Sequence, residues 1–245
     1  MHHPFPRGSF AATAAARTFL VAVAAVVSLA GLTAYAAPPH VQVLDVPVIA
    51  PGSSYVQTNL ASDVPGLARL LDSQLVNPWG LTTRGTSPFW TANNASASSS
   101  LLHVDVGTDA TTFNASPSHI NIPAGLPTGI VGNSSSDFQL TPPGGGSPAP
   151  AAFIFDSLNG NITAWNAASG ASAQSVVSMP GHVFTGLAIG SNSGGNRLYA
   201  ADFANNHIDV FDGTFTATTV TGGFIDATIP AGYAPFNIQN LGGSL

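Results

Sequence analysis

The chain has 245 residues, a formal charge of −6 and no cysteine, so neither disulfides nor thiolate chemistry can support it. Charged residues make up 7%, against about 25% in an ordinary globular chain, and Lys and Glu are absent. Both are good helix formers at solvent-facing positions, whereas 26 Gly and 19 Pro favour turns, so the composition predicts an all-β fold of short strands.

Residues 1–36 read as an export signal. Arg7 and Arg17 supply a basic start, the stretch 19–32 is apolar apart from Ser28 and Gly31, and Ala34-Tyr35-Ala36 is a small-x-small cleavage site. The apolar run is shorter than the ~20 residues of a membrane-spanning helix. Cleavage after Ala36 predicts a secreted, periplasmic or cell-surface chain with no membrane span. It leaves three Arg against eleven Asp, a formal charge of −8. Arg69, Arg84 and Arg197 are isolated from each other, so no nucleic-acid partner is expected, because a phosphate backbone demands clustered cations.

Residues 37–53 hold Pro38, Pro39, Pro47 and Pro51 and predict a Pro-rich tether. Residues 55–60 alternate as a strand. Leu67, Leu70 and Leu71 predict a helical turn over 65–71, since they share one face at helical spacing.

From there one phrase recurs. Phe155-Asp156-Ser157-Leu158-Asn159-Gly160-Asn161-Ile162 returns as Ala201-Asp202-Phe203-Ala204-Asn205-Asn206-His207-Ile208, and Ala92-Asn93 begins a looser copy. Each copy follows a Gly-apolar step, at Gly80-Leu81, Gly129-Ile130 and Gly186-Leu187. A period of roughly fifty residues signals a β-propeller of four-stranded blades. Residues 54–245 then form a partial propeller. Blade one opens at Asn77-Pro78-Trp79-Gly80, continues through 88–92, turns at the Ser-rich 96–100 into 101–106, and ends in 113–122. Blade two runs from Pro127-Thr128-Gly129 through 138–140, 152–155 and 162–165 to 175–177, with 141–150 as an exposed insertion. Blade three uses 184–189, 197–201, 208–211 and 218–220, and a fourth begins at Pro235-Phe236-Asn237-Ile238. Propellers close as rings of about four to eight blades, so three blades and a fragment are expected to be a C-terminally truncated ring.

Asp156 and Asp202 each precede an Asn by three residues, Asn159 and Asn205, at the turn between the second and third strands. A short carboxylate there accepts backbone N–H bonds and fastens the hairpin, and Asn93 can act likewise in blade one. The alternative is that these oxygens meet near the axis and hold Ca²⁺. Recurrence in every blade favours the fastener, since a metal site occurs once per ring. Asn77, Thr128, Thr185 and Asn237 stand beside the Gly-apolar steps and predict a polar ring at the axis that binds ligand or satisfies loop backbone. His103, His119, His182 and His207 lack the spacing of a zinc pair and are expected as solvated loop residues, His182 being notable for preceding an inner strand. No Gly-x-Ser-x-Gly elbow occurs, and without Glu there is no His-Glu-x-x-His. Asn94, Asn114, Asn133 and Asn161 match the glycosylation sequon.

The run Leu198-Tyr199-Ala200-Ala201-Asp202 with Asn205-Asn206-His207-Ile208-Asp209-Val210-Phe211-Asp212 resembles an NHL-type blade. More closely, Leu75-Val76-Asn77-Pro78-Trp79-Gly80-Leu81, Ala164-Trp165-Asn166 and Ala231-Gly232-Tyr233-Ala234-Pro235-Phe236-Asn237-Ile238-Gln239 resemble an uncharacterised family of exported bacterial propellers, some ending in a PEP-CTERM tail. The resemblance covers residues 54–245 and implies a ring continuing past Leu245, six-bladed in a full member. It implies no catalytic residues and no cofactor. Lactonase and phosphotriesterase propellers share the architecture but use an axial Glu, which this chain lacks. The leading expectation is a non-catalytic module binding an extracellular protein or glycan. The alternatives are a cation-dependent hydrolase or lyase of the lactonase type, and a fragment without function.

Overall fold

Three antiparallel sheets carry the chain, each built on a four-stranded meander, one with an insertion after its first strand and one with a fifth strand added. A computed structural model describes residue 52 and, within the unit Val56–Leu245, residues 57–123, 125–224 and 228–245. The export signal and, Gly52 apart, the tether lie outside the described residues. So do residues 55 and 56 of the first expected strand, while 57–60 have no regular structure.

Two short strands come first, β1 (Ala61–Ser62) and β2 (Leu70–Leu71), and they pair in parallel. The helical turn expected over 65–71 does not form. Gly66 takes φ +80°, and the Leu70 and Asp72 N–H groups bond Leu60 and Ser62 carbonyls, so the chain doubles back as a loop. Leu67 and Leu71 are exposed, so no apolar face had to be buried.

Blade one contains β3 (Pro78–Thr82), β4 (Phe89–Asn93), β5 (Ser98–Asp105) and β6 (Ala110–Phe113), with β7 (His119–Asn121) pairing the first part of β5. The serines expected as a turn belong to β5. Ser98, Ser99 and Ser100 are buried, and the Asn93 amide bonds the Ser98 and Ser100 hydroxyls at 3.1 and 2.8 Å. A side chain–side chain network thus replaces apolar burial at that position.

Blade two comprises β8 (Pro127–Gly132), β11 (Phe153–Ser157), β12 (Asn161–Trp165) and β13 (Gln174–Ser178), joined in that order. Its insertion is closed at the base by β9 (Gln139–Leu140) and β10 (Ala149–Pro150). One 3-10 turn, η1 (Ala167–Ser169), lies between β12 and β13. Blade three is β14 (Phe184–Asn192), β15 (Gly195–Asp202), β16 (His207–Asp212) and β17 (Ala217–Thr218). The inner strand expected at 235–238 is an extended segment without strand pairing.

Two cores lie between the blades. Trp90 stacks on Phe153 at 4.0 Å and meets Trp165 at 4.8 Å, joining blade one to blade two with Ile120 and Phe155. Phe138, Ile154, Phe184, Leu198 and Phe211 join blades two and three. Phe138 arrives from the insertion, held by its N–H to the Gly213 carbonyl at 2.7 Å. Among the described residues no helix is long and apolar enough to cross a membrane.

The Gly-apolar steps mark where inner strands touch. A Cβ at Gly80 would stand 2.7 Å from the Thr128 carbonyl oxygen, and one at Gly129 would strike the Leu187 backbone and the Asp156 carboxylate. One at Gly186 would strike Asn237, so the extended segment takes the place of the next inner strand. Gly129→Ala therefore overpacks the junction, and we expect a loss of about 1–3 kcal/mol in urea denaturation. Gly144→Ala, in open space on the insertion, should leave the midpoint unchanged.

Candidate functional site

The inner strands β3, β8 and β14 and the segment at 236–240 enclose a cleft of about 670 Å³. All four residues of the expected polar ring line it: Asn77, Thr128, Thr185 and Asn237. They divide into two kinds. Thr128 and Thr185 are buried, and their hydroxyls are committed: Thr128 donates towards Asp156 and the Phe184 carbonyl at 2.7 and 2.8 Å, and Thr185 towards the Ala201 carbonyl at 3.3 Å. These two join neighbouring strands. Asn77 and Asn237 are exposed and carry amide groups. Asn77 sits at φ 51°, a left-handed conformation that Asn tolerates, with its Nδ2 3.4 Å from Asn94 Oδ1.

Beside these amides lies an aromatic group that the sequence reading had not connected. Trp79 and Phe236 stand 5.8 Å apart, and Phe203 meets Phe236 edge-on at 6.0 Å. The three are 38%, 56% and 47% exposed, although each could bury substantial apolar area. Their positions in sequence, 79, 203 and 236, gave no sign of proximity. Among the described residues lining the cleft none is ionisable.

The equivalent repeat positions behave differently from blade to blade. Asn93 ties β4 to β5 through Ser98 and Ser100 and accepts from the Thr91 hydroxyl at 2.7 Å. Asp202 accepts from the Asn205 N–H at 3.3 Å within its hairpin, and from Asn205 Nδ2 at 2.6 Å. Asp156 does not fasten its hairpin. Its Oδ1 turns inward to the Thr128 hydroxyl and the Gly129 N–H, and Ser157 takes over the hairpin by donating to Asn159 Oδ1 at 2.6 Å and accepting from the Asn161 N–H. The absence of a side chain at Gly129 is what lets the carboxylate reach that backbone. Neither Asp156 nor Asp202 is among the described residues that line the cleft.

The histidines expected as solvated are mostly paired. His119 Nε2 lies 3.0 Å from buried Asp72. His182 and His207 converge on Asp202 and Asp209, with one ligand atom from each of the four within 4.8 Å of all the others. His182 precedes β14, Asp202 ends β15, and His207 and Asp209 sit two apart on β16, so both of the latter face one side. Burial raises the Asp202 pKa, but the Val183 N–H, the Asn205 side chain and the His182 charge outweigh it and hold the carboxyl below its ordinary value. At His207 burial works against protonation, yet bonding to Asp209 and the Asn205 carbonyl, with both carboxylate charges, raises the pKa. Two of the sequon residues, Asn94 and Asn133, are buried and hydrogen-bonded, which removes them as glycan acceptors in the folded chain.

No protein-family model matches the chain. It is similar to two uncharacterized proteins of Acanthamoeba polyphaga mimivirus, 28% identical over 191 and 185 residues, covering 75% and 72% of this chain. The chain spans about half the length of these curated relatives, 46% and 47%. Among solved structures it is similar to the hydrazine synthase of Kuenenia stuttgartiensis, with TM-score 0.38 and 17% identity over 75% of this chain and 42% of that one. The β-propeller domain of Cps50 (Swd1) from Myceliophteria thermophila matches with TM-score 0.37 and 9% identity, over 59% and 41%. The propeller reading rests on the chain's own sheets: four-stranded meanders with their first strands side by side around one cleft.

Asp156 offers a test of this packing. It is 1% exposed, and its Oδ2 has no hydrogen-bond partner among the described residues. Burial raises its pKa to about 6, against the lowering effect of the Thr128 and Gly129 bonds. The folded chain therefore binds more protons than the unfolded chain between the two pKa values. The contribution of this carboxyl to stability is highest below pH ~4, falls as pH rises to about 6, and is level above that, by up to about 3 kcal/mol in all. Asp156→Asn keeps the acceptor for Thr128 and Gly129 and abolishes the titration. Denaturation from pH 4 to 7 should show the difference between variant and wild type moving in the variant's favour by that amount.

Proposed function

We propose that the protein is a non-catalytic recognition module that takes a carbohydrate into its axial cleft outside the cell. The observation that carries this is the exposed Trp79–Phe236–Phe203 group flanked by the Asn77 and Asn237 amides. Sugar rings offer apolar C–H faces to aromatic side chains and hydroxyls to amides, so an aromatic platform with a few oriented polar groups suits them. A contiguous exposed apolar patch beside a cleft also marks an interaction site more strongly than scattered apolar residues do.

The ionisable-free lining supports binding over hydrolysis, because acid–base catalysis needs a titratable group within hydrogen-bond reach of the reacting atoms. Export, the bacterial family resemblance over residues 54–245 and a full ring of six blades belong to this proposal. They rest on the basic-apolar leader, the cleavage site and the blade motifs. A formal charge of −8 after cleavage repels nucleic acid but leaves neutral glycans accessible.

Glycan-array screening followed by calorimetry with the exported chain tests the reading. We expect one carbohydrate class to bind, with Trp79→Ala and Phe236→Ala each weakening it about tenfold or more while circular dichroism stays unchanged. Failure to bind any glycan, or equal binding by both variants, would overturn it. Turnover of a bound ligand that a chelator abolishes would replace it with the hydrolase reading.

A further inference from the structure

The four side chains off the axis are arranged as a ligand set. His182 Nδ1 lies 2.7 Å from Asp202 Oδ2 and 2.9 Å from Asp209 Oδ2, and His207 Nε2 lies 3.0 Å from Asp209 Oδ1 and 3.9 Å from Asp202 Oδ2. Ligands about 2.0–2.1 Å from a tetrahedral metal stand about 3.3 Å from one another. The His–Asp separations of 2.7–3.9 Å lie around that value, and one ligand atom from each of the four residues lies within 4.8 Å of the others, so a modest contraction closes the set on an ion. Two imidazole nitrogens and two carboxylate oxygens suit a borderline divalent ion, whereas Ca²⁺ takes six to eight oxygens.

The surroundings orient the donors. His207 Nδ1 faces the Asn205 carbonyl at 3.1 Å, which keeps a proton on that nitrogen and turns Nε2 towards the carboxylates. Asp202 is fully buried, with Oδ1 held by the Val183 N–H at 3.0 Å and Oδ2 by Asn205 Nδ2. His207, whose side chain is 47% exposed, leaves an open side through which an ion can arrive.

We propose that His182, Asp202, His207 and Asp209 bind one zinc-type divalent ion as a closed structural site, clasping the loop before β14 to the β15–β16 hairpin. Each ligating nitrogen must be free of its proton, so any proton that His182 Nδ1 or His207 Nε2 holds towards the carboxylates passes to solvent on binding. With four protein ligands the coordination shell is filled, the pattern of a structural rather than a catalytic zinc.

The test uses the full chain, titrated with Zn²⁺ against a chromophoric chelator, and with Co²⁺ to read the visible bands of tetrahedral coordination. We expect uptake with one equivalent lost in His207→Gln, or affinity weakened about tenfold or more, and the same result for Asp209→Asn. His103→Gln, at an exposed position on β5 away from the cluster, should bind as wild type. Zn²⁺ should also raise the melting temperature of wild type and not of His207→Gln. No uptake in the micromolar range, uptake unaffected by either substitution, or preference for Ca²⁺ over Zn²⁺ would each overturn the proposal. Because a ligand-binding cleft does not require the ion, loss of the clasp with glycan binding intact would leave the proposed function standing.

Discussion

The close approach of successive inner strands at Gly80, Gly129 and Gly186 is the constraint on which the rest depends. Backbone contact without a Cβ brings each first strand against the next. It also brings Asp156 within reach of the Gly129 N–H and the Thr128 hydroxyl across the junction. Once the strands touch there, the blades splay outwards, and the wedge between them must be filled. Trp90, Phe153 and Trp165 fill one wedge, and Phe138, Phe184 and Phe211 fill the next. The cleft between these strands is lined by Thr, Asn, Gly and aliphatic residues together with Trp79 and Phe236, and among the described residues lining it none is ionisable.

One repeat position carries three chemistries. Asn93 sits in a buried amide and hydroxyl network and needs no charge. Asp156 has one well-bonded oxygen and one without a partner among the described residues, so burial dominates and raises its pKa to about 6. Asp202 has donors on both oxygens and the His182 charge beside it, and these outweigh its burial and lower its pKa. An identical register in sequence therefore fixed where each carboxylate begins and left its direction to the neighbours.

The strands were legible because alternating apolar residues and Gly steps repeat with the blade, and the wedge-filling aromatics fall on them. Less regular pieces were not. Leu67, Leu70 and Leu71 have helical spacing, but Gly66 and pairing with residues 60–62 decide the path of that segment. Ser98, Ser99 and Ser100 look like a turn in any local window, and only the Asn93 amide opposite explains their burial. The polar ring at 77, 128, 185 and 237 could be placed because Thr128 and Thr185 directly precede the repeated glycines, while Asn77 and Asn237 stand at the openings of the first and fourth repeats. The histidine and aspartate cluster could not, since residues 182, 202, 207 and 209 follow no metal motif. They meet because the entrance to β14 lies against the β15–β16 turn.

That meeting place bears on the cleft. His182 stands three residues before Thr185, the first residue of β14 to line the cleft, and its partner carboxylate Asp202 pairs with Phe184 across β14 and β15. The Val183 N–H bond to Asp202 closes the same corner. Anything that tightens this corner fixes the start of the third cleft wall, while the Thr128 hydroxyl on the Phe184 carbonyl carries the constraint to the second wall. On the far side Phe203, one residue past Asp202, reaches Phe236 and so the aromatic platform. Asp202 of the polar corner and Phe203 of the aromatic group are thus successive residues of one hairpin. Order in the corner supports the position of Phe203, although none of the described residues lining the cleft is ionisable.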